Sequence, residues 1–316
     1  MCTTERLAYR VYYSVQYAVD AALASARFPD NTTENADENG MNMADDFFQD
    51  GGDAPPILRF KQYAEPSVFA PENLLREARR QKAIPDSQIP KICVLDPDGD
   101  IVRYLVATEQ AQLNPYWACY HTSLHDFTWD GIDFGIVGCA VGAAFAVLVA
   151  EEMFASGCQL LISVTSSGQI SPLAQVPPFF VLIEKALRDE GASYHYLAPS
   201  DYAHLDSQLS RLLDGAFTGL AQPVYRGATW TTDAPFRETA FAVRQAQAEG
   251  ILAVEMEAAA LYAFAQARQQ PAICFAHVTN QMGTVANDFE KGHADGAYDA
   301  LALIHATARR WLSHKA

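Results

Sequence analysis

Near the start of the chain, apolar positions recur at a helical period. Leu7, Val11, Val15, Ala18, Ala22 and Leu23 fall on one stripe, which predicts a helix over residues 4–27. The pattern then breaks. Residues 28–56 carry Asp30, Glu34, Asp37, Glu38, Asp45, Asp46, Asp50 and Asp53 with no Lys or Arg, and read as an acidic linker or mobile loop. A second helix is expected over 71–82. Pro71 opens it, Glu72 lies in its first turn, and Arg76, Arg79, Arg80 and Lys82 follow toward its end.

From Ile89 onward, short apolar runs alternate with helical periods. Strands are expected over 91–95, 132–137, 159–164, 193–197, 224–229 and 272–279. Helices are expected over 140–156, 178–190, 200–215, 239–249 and 295–313. Residues 127–131 and 132–137 predict a hairpin turning near Asp130-Gly131. The expected fold is therefore α/β: three αβα layers around a mixed, mostly parallel sheet. It divides into an N-terminal helical and acidic extension, 1–88, and a catalytic-type domain, 89–316. Ligands in such sheets bind beyond the strand C-termini. The polar loops after Leu95, Val137, Val164, Thr229, Val254 and Val278 lie there.

Within this pattern Ala253 to Tyr262 is unusual: Glu255, Met256 and Glu257 sit where an apolar strand runs into an alanine-rich helix. A carboxylate is costly to bury unless it is paired or hydrogen-bonded. Glu257 could simply complement the helix dipole. Alternatively it waits at a pocket wall for a polyhydroxylated ligand, with Met256 as an apolar platform.

Composition narrows the partners. Half of the 316 residues are hydrophobic, enough for a sizeable core, and the formal charge is −16. That charge argues against nucleic acid or an anionic membrane surface. Met1 to Arg10 lacks the apolar run of a signal peptide, and Phe134 to Ala150 is short and glycine-interrupted for a membrane span. Cys2, Cys93, Cys119, Cys139, Cys158 and Cys274 are scattered without CxxC, as reduced core thiols of a cytoplasmic protein would be.

Several familiar motifs fail. Asp96-Pro97-Asp98-Gly99-Asp100 starts like a calcium loop, but the required Gly and Glu are Ile101 and Ala107. His121 and His125 lack the intervening Glu of a zinc-protease helix. Gly138 to Gly142 is not GxGxxG, although its amides could meet an anion or a sugar hydroxyl. Thr165-Ser166-Ser167-Gly168 is not GxSxG but offers hydroxyls and amides after a strand. No metal or cofactor is expected.

Taken in order, Gly138–Gly142, Leu161–Gly168, Thr231–Phe236, Val254–Leu261 and Val278–Asn280 resemble the nucleoside phosphorylase family of uridine phosphorylases, purine nucleoside phosphorylases and adenine-releasing nucleosidases. Glu255-Met256-Glu257 before an alanine-rich helix is the most specific part. The resemblance implies cleavage of the N-glycosidic bond of a nucleoside or related N-riboside. In its terms Met256 packs on the ribose, Glu257 accepts the ribose hydroxyls with Glu255 beside it, and Asn280 handles the leaving base. Trp230 and Phe236 are the implied stacking residues, and Thr232, Arg237 and Glu238 would contact the base edge. Gly138 and the Thr165, Ser166, Ser167 and Gly168 stretch would line the nucleophile side. A homo-oligomer, a dimer or trimer of dimers, is also implied, with His121 or His125 as candidates to complete a neighbour's site.

The departures bear on the nucleophile. Phosphorolytic members hold phosphate with a Gly-Asp-Pro-x-Arg turn and a second arginine. Here the turn reads Leu95-Asp96-Pro97-Asp98-Gly99, and the second position is Ser163. Asp98 and Asp100 crowd the mouth where a dianion would bind, which is unfavourable. Water is therefore favoured over phosphate as co-substrate, activated by Asp98 or Asp100. Phosphorolysis is the alternative reaction, and a non-catalytic nucleoside-binding sensor is the alternative of another class.

Overall fold

The structure, a computed structural model, describes residues 55–173, 175–282, 284 and 286–315. The expected helix over 4–27 and the acidic residues of 28–53 lie outside the described residues. Ala54–Ala316 form a compact unit.

Local signals that needed no distant partner produced the expected elements. Helix α1 (Pro71–Lys82) has the predicted ends, and Ala83 closes it in the left-handed conformation, its N–H bonded to Arg79 O. Strands β3 (Leu124–Trp129) and β4 (Ile132–Gly138) form the predicted hairpin. Asp130 (φ 47°) and Gly131 (φ 81°) make its turn, a pair of positive φ values that suits the twist of the flanking strands. Phe127 pairs with Phe134 across the hairpin, their rings stacked at 5.0 Å.

The remaining strands are β1 (Ile92–Asp96), β2 (Ala111–Leu113), β5 (Leu160–Gln169), β6 (Phe179–Asp189), β7 (Tyr202–His204), β8 (Val224–Thr232), β9 (Ile251–Glu255) and β10 (Ala272–Asn280). The helices are α2 (Asp100–Ala107), α3 (Ala143–Ala155), α4 (Ser207–Leu212), α5 (Ala240–Ala248), α6 (Ala258–Arg268) and α7 (Ala297–Lys315). The ten strands among the described residues belong to one mixed sheet. β1 lies between β4 and β5, parallel to both, and β5 is also parallel to β10. β10 pairs antiparallel with β6, and β6 and β9 both run parallel to β8. β9 then returns to β5 at Gly168↔Val254. β5, β10, β6, β8 and β9 thus close a ring at one end of an otherwise open sheet. Alternation along β5 sorts its two faces. Val164 and Ser166 look toward α2 and α7, while Thr165 looks toward the start of α6.

Three expectations are corrected here. Residues 178–190 form β6 rather than a helix. Phe179 to Ile183 are fully buried between β10 and β8, and a run apolar on both faces carries no period that separates strand from helix. Residues 193–197 are not a strand; Ala192–His195 form a 3₁₀ turn. Residues 200–215 divide into β7 and the short α4, whose N-cap Asp206 accepts the amides of Gln208 and Leu209. Cys139 is exposed, unlike the buried Cys93, Cys119, Cys158 and Cys274. Among the described residues no helix is long and apolar enough to cross a membrane.

Candidate active site

The strand-to-helix junction that stood out in the sequence is a buried carboxylate pair. Glu255 ends β9, Glu257 takes the N-cap position of α6, and they are 3% and 1% exposed. Glu255 accepts the Thr229 and Thr231 hydroxyls on one oxygen and the amides of Glu257 (2.7 Å) and Ala258 (2.7 Å) on the other. Both of its oxygens are thereby engaged by the protein. It fixes the junction and caps the helix.

Glu257 is held differently. Its Oε1 accepts the Gly142 amide at 2.7 Å, and its Oε2 accepts Thr165 Oγ1 at 2.9 Å. The Gly142 amide, expected to meet an anion or a sugar hydroxyl, meets this carboxyl instead. Burial, and next the charge of Glu255, pushes Glu257 up to about 8; Asp98 adds to the effect.

The acidic turn after β1 divides into three roles. Asp96 is buried and accepts the amides of Gly99 (3.1 Å) and Val102 (3.0 Å), which shapes the turn into α2. Burial chiefly, with the charges of Asp98 and Asp100, pushes it up to about 7. Asp100 pairs with both Arg103 and Lys291. Two cations therefore do reach this mouth, one of them from a distant irregular segment, and one carboxylate holds both. Asp98 is the group left over. Its Oδ2 accepts the Ser166 amide at 2.7 Å, and its Oδ1 lies 4.0 Å from Lys291 Nζ. A cavity of about 20 Å³ adjoins it, lined by Asp96, Asp98, Asp100, Ser166, His277 and Asp295 among others. A larger cavity, about 620 Å³, lies elsewhere, between Ile57-Leu58 and the ends of β6 and β8.

Other expected site residues fare unevenly. Thr165, Ser166, Ser167 and Gly168 belong to β5 itself and do lie here. Ser166 Oγ bonds the Thr279 hydroxyl at 2.9 Å, and Ser167 Oγ donates to Thr165 O. Asn280 adjoins Gly168, but its Nδ2 donates to Ser167 O and the Thr279 hydroxyl, and its Oδ1 accepts the Met282 amide. One acceptor lone pair of its Oδ1 is left over. Gly138 is a packing glycine: a Cβ there would lie 3.1 Å from Val102 Cγ2 and 3.3 Å from Gly99 Cα. Trp230 is buried in β8 with Nε1 on Asp189 Oδ2, in a cluster with Ile170, Val254 and Met282. Thr232 receives the Ala234 amide and shapes the following turn. Phe236 is fully exposed and Arg237 is exposed, so neither is gathered to Glu257. Glu238 is half-buried, and burial pushes it up to about 7. Among the described residues no group of His, Cys, Asp and Glu is placed to hold a metal.

These groups give the site a pH-dependent cost. Asp96 and Glu257 have folded values raised to about 7 and 8 against ordinary values of 3.8 and 4.5. As pH rises the unfolded chain releases these protons first, so stability is lost until the folded values are passed. His277 works in the opposite sense, since burial lowers it from 6.5 to about 4, and its contribution is complete above 6.5. Glu238, raised to about 7, acts in the same sense as Asp96 and Glu257, and above pH 6.5 these carboxyls dominate. The thermal midpoint should be about 5 °C lower at about pH 8.5 than at about pH 6.5, from roughly 2 kcal/mol of linkage. Differential scanning fluorimetry across that interval measures it, and a flat or rising midpoint contradicts the buried, proton-holding state of Glu257.

A ringed mixed sheet flanked by helices, with a buried glutamate at a strand-to-helix junction and an acidic turn at the end of β1, is the architecture that the comparisons with known proteins place in a family. The sequence profile of the phosphorylase superfamily matches residues 91–309, and the chain belongs to that superfamily. It is 25% identical over 238 residues to the uridine phosphorylase of Thermococcus kodakarensis, covering 65% of this chain and 83% of that one. Two crystal structures of uridine phosphorylase from Vibrio fischeri have the same fold. One, complexed with 6-hydroxy-1-naphthoic acid, superposes with a TM-score of 0.59 at 20% identity, over 72% of this chain and 92% of that one. The other gives 0.59 at 19% identity, over 79% and 98%.

Proposed function

We propose that this enzyme cleaves the N-glycosidic bond of a nucleoside or related N-riboside and that water, not phosphate, is the nucleophile. Family membership supports the glycosidic chemistry. The observation that carries the choice of nucleophile is Asp98 on the Ser166 amide beside a cavity of about 20 Å³. That volume suits one water molecule. An anion entering there would meet carboxylates whose two neighbouring cations are already paired with Asp100.

In this reading the ribose hydroxyls donate to Glu257, which favours its ionised form. Because Glu257 is almost fully buried, the sugar reaches it only when the covering side chains part. The negative charge then faces the sugar as it becomes oxocarbenium-like, and Met256 supplies an apolar surface next to it. Asp98 takes a proton from water as the water oxygen bonds the anomeric carbon. The C–N bonding electrons leave with the base, which acquires a proton from solvent.

Chromatography of nucleoside mixtures in phosphate-depleted buffer tests the reading. Free base and free ribose are expected at a rate unaffected by added phosphate. Base release that requires phosphate and yields ribose 1-phosphate would establish phosphorolysis, the reaction named for the uridine phosphorylases. Ligand-induced thermal stabilisation without turnover of any nucleoside would favour the sensor.

A further inference from the structure

The resemblance counts Thr165 among the residues that line the nucleophile side, yet its side chain serves the other face of β5. Thr165 pairs with Ala276 of β10 and is 5% exposed. Burying a hydroxyl without a partner is unfavourable, and a valine would fill the same shape in a strand without that cost. The hydroxyl is accounted for by its acceptor. Oγ1 lies 2.9 Å from Glu257 Oε2, whereas the alternative acceptor, Ser166 O, is 3.5 Å away. A hydroxyl has one hydrogen to donate, and the closer, stronger acceptor takes it.

Glu257 has few other donors. The Gly142 amide reaches Oε1 at 2.7 Å, and the Met256 amide reaches Oε2 only at 3.3 Å. The titratable groups that face Glu257 do not favour its charge. Glu255 on β9 and Asp98 in the turn after β1 both repel it. Burial pushes the Cys274 thiol on β10 up and keeps it neutral. Among the described residues no cation is paired with Glu257. The two close donors, Gly142 and Thr165, are thus what favours the ionised carboxylate, and only Thr165 does so through a side chain.

We propose that Thr165 is a positioning residue for Glu257, its hydroxyl holding Oε2 while the Gly142 amide holds Oε1, so that the carboxylate is both oriented and kept charged for the sugar. Glu257 is fixed at both oxygens by groups on separate elements, and its remaining lone pairs are left to the ribose hydroxyls. Thr165 itself touches neither the sugar nor the nucleophile. The assignment rests on the reading of Glu257 as the sugar's partner, and it holds whether water or phosphate attacks.

The test is kcat/KM for base release across about pH 6.5 to 9.5, with and without phosphate, as a ratio to the unaltered protein. That ratio cancels changes in substrate or phosphate ionisation. Thr165→Val keeps the shape and removes the donor; Thr165→Ser restores a donor. Without the hydroxyl, Glu257 ionises at higher pH, so the loss concentrates on the acid side. Thr165→Val should lower kcat/KM by about tenfold at about pH 7, narrowing to within about threefold at about pH 9.5. Thr165→Ser should recover most of the loss at about pH 7. Thr165→Ala repeats the comparison if valine is not accommodated. A merely structural role predicts a loss that is the same at every pH. A ratio that does not change with pH, or a Ser variant no better than Val or Ala at about pH 7, overturns the assignment while leaving the glycosidic reading standing. Absence of base release from any nucleoside by the unaltered protein, with or without phosphate, overturns both.

Discussion

Glu257→Gln should lower kcat for base release by about 10²- to 10³-fold, corresponding to roughly 3–4 kcal/mol of lost transition-state stabilisation. The substitution keeps shape and most contacts. The amide oxygen can still accept the Gly142 N–H, and the amide NH₂ can donate to the Thr165 hydroxyl, which turns to accept. What disappears is the negative charge that would face the developing oxocarbenium ion, and with it the strongest acceptor for the ribose hydroxyls. Folding should not suffer. The glutamate side chain is held up at about 8 by burial and by Glu255, so a neutral amide removes an unfavourable interaction at alkaline pH. The thermal midpoint of the variant at about pH 8.5 should equal or exceed that of the unaltered protein. Steady-state kinetics with a melting curve on the same preparation separates the two effects. A kcat within about threefold of the unaltered enzyme would remove Glu257 from the chemistry.

Asp98→Asn is the second large effect, a loss of about 10²- to 10⁴-fold in hydrolysis, the range for removing a general base. The asparagine oxygen can still accept the Ser166 amide, so the β1–α2 turn should hold its shape. Asp100→Asn makes the informative comparison, because Asp100 holds Arg103 and Lys291 and is not the carboxylate left to face the cavity. It should cost less in kcat than Asp98→Asn. Equal rates for Asp98→Asn and the unaltered enzyme, with free ribose still the product, would mean that water is activated elsewhere. A greater loss at Asp100 than at Asp98 would assign the base to the other carboxylate.

Much of the scaffold was legible because its signals are local. Helix α1 needed only Pro71 at its start and a basic last turn. The β3–β4 hairpin needed only Asp130-Gly131 between alternating residues. Residues 178–190 failed the same treatment, since Phe179 to Ile183 are apolar on both faces and become a strand only by pairing with β10 and β8. The reach of β8 to Thr232 was missed for a related reason. Trp230 and Thr232 sit among polar residues that suggest a loop, yet they pair with β6 on one side and, through Thr231, with β9 on the other.

The site shows the same division. The sequence alone marked Glu255-Met256-Glu257, the hydroxyl-rich end of β5 and the acidic turn after β1, because buried carboxylates beside apolar runs are costly and stand out. It could not assign roles within them. Glu255 and Glu257 are two residues apart, yet one caps a helix while the other meets Gly142 and Thr165 from 115 and 92 positions away. Asp98 and Asp100 were equivalent until Lys291, 191 positions from Asp100, was seen to pair with it. Composition and local pattern determined an α/β chain with an acidic strand-to-helix junction, and the resemblance of its ordered motifs supplied the enzyme chemistry. The tertiary structure decided which carboxylate is held by amides, which is paired with cations and which borders the cavity, because pairing and burial are properties of positions in space.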